Sequence, residues 1–183
     1  LKPDNILVTA EGRPVVLDFG VAKAGGLRTT LTGEFAGTPA YASPEQVSGR
    51  PDEVDALTDV YSLGVILYKM LCSATPYELE GSLFDMARVI REVPPTPPRQ
   101  RQPALPADLE AIILRALEKD KARRYQSAAG FARDIERYLS GSPVEARSGS
   151  GWYVLRKAVL LNRRRLAWAG GVALALLAAG AAV

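Results

Sequence analysis

At 183 residues with 48% hydrophobic composition, the chain is long enough to bury one core and carry an appendage. A single Cys and no His exclude a zinc cluster and a disulfide framework. The formal charge of +3 averages two unlike parts, since residues 1–140 hold 17 Lys+Arg against 19 Asp+Glu, whereas residues 141–183 hold 6 against 1. A mildly acidic folded part argues against nucleic acid as a partner, because such a partner needs a basic face.

Residues 6–8 and 15–18 are short apolar runs separated by the turn-type cluster Glu11-Gly12-Arg13-Pro14, which predicts a small antiparallel hairpin with Asp18 at its tip. Residues 21–44 keep neither a helical nor a strand period and are rich in Gly and Thr, so one long loop is expected there. Leu57, Val60, Tyr61, Leu63, Gly64, Leu67, Tyr68 and Leu71 fall at helical spacings. Residues 57–71 are apolar almost all round, which predicts a helix buried on most sides. Cys72 follows it and is expected to be a small buried hydrophobe.

A shorter helix is predicted at about residues 82–92. Pro94, Pro95, Pro97, Pro98, Pro103 and Pro106 then predict an extended connecting loop. Asp108 to Lys119 carries Leu109, Ile112, Ile113, Ala116 and Leu117 on one stripe, an amphipathic helix with Asp108 as its cap. Ser127 to Leu139 repeats the pattern with Phe131, Ile135 and Leu139, interrupted by Gly130 at a cost of about 1 kcal/mol relative to Ala. Residues 140–151 have the Ser/Gly-rich composition of a linker.

Leu166 to Val183 is a run of 18 residues without a charge, close to the roughly 20 that cross a bilayer. Five basic residues, Arg156, Lys157, Arg163, Arg164 and Arg165, precede it. They favour retention of the upstream side in the cytoplasm. Trp152, Tyr153 and Trp168 stand where interfacial aromatics occur.

The motifs form an ordered set. Lys2-Pro3-Asp4-Asn5 is followed by Asp18-Phe19-Gly20, then by Gly37-Thr38-Pro39-Ala40-Tyr41-Ala42-Ser43-Pro44-Glu45, and then by Asp59-Val60-Tyr61-Ser62-Leu63-Gly64. In this order they resemble the large, C-terminal lobe of the bacterial eukaryotic-type (Hanks-type) transmembrane Ser/Thr protein kinases. The resemblance implies a protein-kinase-like α+β fold, here a mainly α-helical large-lobe fragment with a small β-hairpin, followed by a linker and the start of a transmembrane helix. The expected divisions are 1–140 for the lobe, 141–165 for a basic juxtamembrane linker and 166–183 for the membrane helix.

By the same resemblance the reaction is transfer of the ATP γ-phosphate to a Ser or Thr hydroxyl. Hard divalent cations take oxygen ligands, and Asn5 and Asp18 occupy the positions that bind the nucleotide's Mg2+ (or Mn2+). Lys2 matches the catalytic-loop lysine that steadies the transferred phosphate, and Thr38 the loop threonine that links the catalytic Asp to it. Phe19 packs toward the small lobe and Gly20 permits backbone change. Glu45 has a family partner in an Arg late in the lobe, matched by Arg124, and Asp59 matches a buried carboxylate that accepts backbone donors from the catalytic loop. Ser43 and Lys121 depart from the family's usual Ala and Pro. Thr30 and Thr32 lie at the spacing of autophosphorylated threonines, where a phosphate's charge orders the loop.

Leu1 corresponds to the residue directly after the family's catalytic Asp, so this stretch is expected to be inactive on its own, without base, small lobe or nucleotide roof. The resemblance places the intact parent in a bacterial cell membrane as a single-pass protein with a cytoplasmic kinase region. Its expected partners are ATP, proteins bearing Ser or Thr, the membrane and a second kinase copy. The alternative is a membrane-anchored pseudokinase or truncated binding module.

Overall fold

The computed structural model describes residues 1–17 and 39–160. The chain divides into two compact units, Leu1–Ala132 and Arg133 onward.

The first unit opens with a 3₁₀ turn, Pro3–Asn5, that leads into strand β1 (Ile6–Val8). β1 pairs antiparallel with β2 (Pro14–Val16) in the register Ile6↔Val16, Leu7↔Val15 and Val8↔Pro14. Gly12 takes φ +77° in the turn between them, a conformation that costs glycine little. The Thr9–Arg13 turn closes one end of the hairpin. The described chain leaves the hairpin at Leu17, at the opposite, open end, and Asp18, expected at the tip, lies outside the described residues.

After Pro39 the chain makes a 3₁₀ turn, Pro39–Tyr41, and a short helix α1 (Pro44–Val47). Helix α2 (Ala56–Cys72) begins at Asp55, whose side chain accepts the Leu57 N–H, and ends at Ser73 in the left-handed conformation. Its buried face carries Thr58, Val60, Tyr61, Ser62, Gly64, Val65 and Tyr68, while Met70 is 75% exposed. Cys72 is half-buried, with its thiol 3.7 Å from the Pro98 carbonyl oxygen.

Helix α3 (Leu83–Glu92) starts with a capping box between Ser82 and Asp85, which satisfies two otherwise orphaned backbone donors. The proline-rich stretch is not wholly extended, because Pro98–Arg101 forms a turn of helix, α4. Pro98 at its start needs no N–H there, Glu110 accepts the Arg99 N–H at 3.1 Å, and Arg101 pairs with Glu78 at 2.7 Å.

Helix α5 (Ala107–Ala116) is capped at Pro106 without a side-chain hydrogen bond. Asp108 is therefore not the cap; it lies inside the first turn, 7% exposed, where a carboxylate still complements the helix dipole. α5 packs on α2 at Gly64, where a Cβ atom would stand 2.8 Å from Ala116 Cβ and 3.3 Å from Leu117 Cδ2. Tyr61, Val65, Tyr68, Tyr77, Ile90, Ile113 and Leu117 form the centre of the core.

Helix α6 (Ala128–Leu139) follows Ser127, whose hydroxyl accepts the Gly130 N–H at 3.0 Å. Gly130 thus belongs to the capped first turn and does not interrupt the helix. Phe131 is buried against Tyr125, with ring centroids 5.4 Å apart. Leu139, expected on the same apolar stripe, is 74% exposed at the helix end.

In the second unit the Ser/Gly-rich stretch carries local structure. Glu145–Arg147 is a 3₁₀ turn, and the buried Asp134 carboxylate accepts the Glu145 and Ala146 N–H groups. Val144 is fully buried, and its N–H donates to the Tyr153 hydroxyl at 3.0 Å. Residues 151–160 form a helix, α7. Among the described residues no helix is long and apolar enough to cross a membrane. The 166–183 run lies outside them.

Candidate active site

The Pro3–Asn5 turn is held from both sides by backbone hydrogen bonds. The Asn5 N–H donates to the Lys2 carbonyl at 3.0 Å, and the Asn5 carbonyl accepts the Leu17 N–H at 2.9 Å. Leu17 is the residue before Asp18, so the segments bearing the two oxygen-donor candidates run side by side up to that point. Among the described residues Lys2 pairs with Asp4, at 3.6 Å, and both side chains are exposed; an exposed pair of this kind restrains the ammonium weakly. Asp18, Phe19, Gly20, Thr30, Thr32 and Thr38 lie outside the described residues. Among the described residues no group of three His, Cys, Asp or Glu side chains could hold a metal.

Asp59 is not buried. Its side chain is 56% exposed in the first turn of α2, with a carboxylate oxygen 3.5 Å from the Leu1 nitrogen. It faces the start of the Leu1–Asn5 segment, while the buried face of α2 packs toward α5. A cleft of about 560 Å³ borders the Pro3–Asn5 turn, lined by Pro3, Asp4, Ile6, Tyr41, Ile66, Lys69 and Met70.

The segment from Pro39 to Val47 is anchored to α2. Ser62 donates its hydroxyl to the Tyr41 carbonyl at 3.0 Å, and Lys69 donates to the Tyr41 hydroxyl at 3.0 Å. Ser43 caps α1 with a reciprocal box: its hydroxyl accepts the Gln46 N–H while its own N–H donates to Gln46 Oε1. The Ala more usual in the family has no hydroxyl to do this, so the Ser43 departure supplies a cap.

One residue into α1, Glu45 meets Arg124. Arg124 donates from its two terminal nitrogens to Glu45 Oε1 and Oε2, each at 2.8 Å, and the Arg124 and Glu45 side chains are 0% and 3% exposed respectively. The remaining guanidinium donors go to the carbonyls of Leu57, Glu118 and Lys119. A guanidinium has five N–H donors, and all five are used. Burial alone would push the Glu45 carboxyl up, but the Arg124 hydrogen bond and charge outweigh it and hold the carboxyl below its ordinary range. Thr58 adds a hydroxyl donor at 2.9 Å.

Behind this pair lies a second layer that no local pattern signals. The Arg124 guanidinium stands 5.1 Å from the Tyr61 ring centroid, Tyr61 donates to the Tyr77 hydroxyl at 2.9 Å, and Lys119 donates to Tyr77 at 2.7 Å and to the Ile90 carbonyl. Tyr77 and Lys119 are 42 residues apart, so only the folded chain brings them together. The Lys121 departure is likewise put to use: its ammonium donates to Asp55 at 2.8 Å and to the Glu53 carbonyl, tying the start of α2 to the Arg124 segment.

Residues 1–134 match the protein kinase domain family. The serine/threonine-protein kinase PknB of Mycobacterium tuberculosis is 42% identical over 149 residues, covering 80% of this chain and 23% of that protein. A probable serine/threonine-protein kinase of Streptomyces coelicolor is 38% identical over 154 residues, 82% of this chain and 22% of its own length. The tyrosine-protein kinase MasK of Myxococcus xanthus is 40% identical over 153 residues, with the same coverage. The chain thus spans less than a quarter of the length of these relatives, yet most of it lies within the matched region: it belongs to the protein kinase domain family.

Proposed function

We propose that the protein containing this chain transfers the γ-phosphate of ATP to Ser or Thr hydroxyls of other proteins. The observation that carries the reading is the backbone bond from Leu17 to Asn5, which sets the Lys2–Asn5 turn beside the strand that leads into Asp18. Asn5 and Asp18 would hold Mg2+ or Mn2+, which supplies neutralisation of phosphate charge when bound. Lys2 places a cation near the transferred group, and Thr38 orders the loop around it. The Glu45–Arg124 pair fixes the end of the segment that docks the substrate. Thr30 and Thr32 are the proposed sites of activating phosphorylation. Lys2 in the Lys-Pro-Asp-Asn motif favours Ser and Thr over Tyr, although one relative is named a tyrosine kinase.

We further assign residues 1–140 to the kinase lobe, 141–165 to a juxtamembrane segment and 166–183 to a single membrane span, with the kinase region in the cytoplasm and a second kinase copy as a partner. The five basic residues before the apolar run support this orientation.

The test uses the intact parent with labelled ATP, Mg2+ and a protein substrate, followed by phosphoamino-acid analysis. Label on Ser or Thr that Asp18→Asn abolishes and Lys2→Ala sharply reduces is the expected result. Label on Tyr alone, or transfer indifferent to Asp18→Asn, overturns it, and no transfer at all favours the membrane-anchored pseudokinase. A reporter active only outside the cytoplasm, fused after Ser150 or after Val183, tests the topology. Signal is expected only from the Val183 fusion.

A further inference from the structure

Helix α7 presents its two faces very differently. Tyr153 is buried, with its hydroxyl accepting the Val144 N–H at 3.0 Å and the Arg147 guanidinium 4.4 Å from its ring centroid. Lys157, one turn further on, donates to the Gly141 carbonyl at 3.2 Å. These contacts orient the helix within its unit. The opposite face, at the i, i+3 and i+7 positions that align on a helix, carries Trp152, Leu155 and Val159, which are 75%, 56% and 47% exposed. Leu160, 52% exposed, and the exposed Arg156 flank them.

An apolar stripe held outward on a helix pinned from behind is not a core waiting to close. Resting on the membrane reading above, we propose that α7 lies in the surface of an anionic bilayer, with Trp152, Leu155 and Val159 among the acyl chains and Arg156 at the phosphates. Charge selects this occupant: residues 141–183 hold 6 basic side chains and 1 acidic one. A helix with an apolar face and cations at its margin partitions to an anionic interface. The apolar run that begins at Leu166, six residues past Leu160, keeps α7 close to that surface. The segment is then a fixed rest for the second unit on the lipid, not a free tether.

The experiment uses the whole chain with Trp168→Phe, so that Trp152 is the one remaining tryptophan, mixed with vesicles of phosphatidylcholine alone or with added phosphatidylglycerol. Vesicle flotation and Trp152 fluorescence are read together. The expected result is flotation, a shift of Trp152 emission to shorter wavelength and shielding from an aqueous quencher. The shift should be larger with phosphatidylglycerol and reduced by Arg156→Glu. Leu155→Glu with Val159→Glu should abolish the shift while the chain still floats. Flotation with Trp152 unshifted and fully quenched overturns the proposal while leaving the membrane span intact. Failure to float overturns both. A concentration-dependent shift without lipid assigns the face to a second copy and also overturns the proposal.

Discussion

Arg124 and Glu45, 79 residues apart, meet in a bidentate pair with both N···O distances at 2.8 Å and almost no solvent exposure. This contact ties the segment after the long loop to the far end of the lobe. Its strength comes from saturation, since Arg124 also serves three backbone carbonyls that otherwise lack these donors.

Removing one member leaves a buried charge unpaired, which costs roughly 3–5 kcal/mol. Arg124→Met and Glu45→Gln should each lower the unfolding free energy, read from urea denaturation, by an amount in that range or just below it. Arg124→Lys should rescue little, because an ammonium has three donors and no planar fork. A double replacement by apolar residues should cost less than the sum of the two single changes. Additive losses would show that the pair is not coupled.

Glu45 also predicts an acid limb. Its folded carboxyl titrates below the ordinary 4.5, so its contribution to stability is complete above that pH and is lost as pH falls through the folded value. The Glu45→Gln variant should show a flatter decline in unfolding free energy below pH 4.5 than the parent. Equal slopes would contradict the assignment.

Lys119 acts in the alkaline range. Burial, with the Arg124 charge adding to it, pushes its ammonium down to about 8 from the ordinary 10.5. Between those values the unfolded chain keeps a proton that the folded chain has released, so stability rises with pH. Tyr77, pushed up to about 12 by burial, and Tyr61, also raised, oppose this above their ordinary 10. Urea midpoints measured from about pH 8 to 9, below the ordinary 9.0 of Cys72, whose thiol is pushed up by burial, should therefore climb, and Lys119→Met should remove the slope.

Gly64 sets the distance between α2 and α5. An Ala there gains about 1 kcal/mol of helix propensity, but its Cβ would meet Ala116 Cβ at 2.8 Å, and overpacking costs about 1–3 kcal/mol. Gly64→Ala should lower the melting temperature. Adding Ala116→Gly should recover part of the loss, which calorimetry can read directly.

Local pattern determined the elements whose burial is periodic. α2 lies within one residue of the stretch marked by its apolar spacing, α3 is capped by the Ser82 that opens the expected interval, and the β1–β2 hairpin turns at the Gly12 cluster. The resemblance to the kinase lobe also implied the pairing of Glu45 with Arg124. Neighbours distant in the chain decided the rest. Pro98–Arg101 is helical where Glu110 and Glu78 meet it. The linker-like residues after Leu139 are ordered by Asp134 and Tyr153. Tyr61, Tyr77 and Lys119 became one network only through packing. Hydrophobic period is a property of a single segment and survives in the sequence, whereas a buried polar group is stabilised by partners supplied by other segments, and their identity exists only in three dimensions.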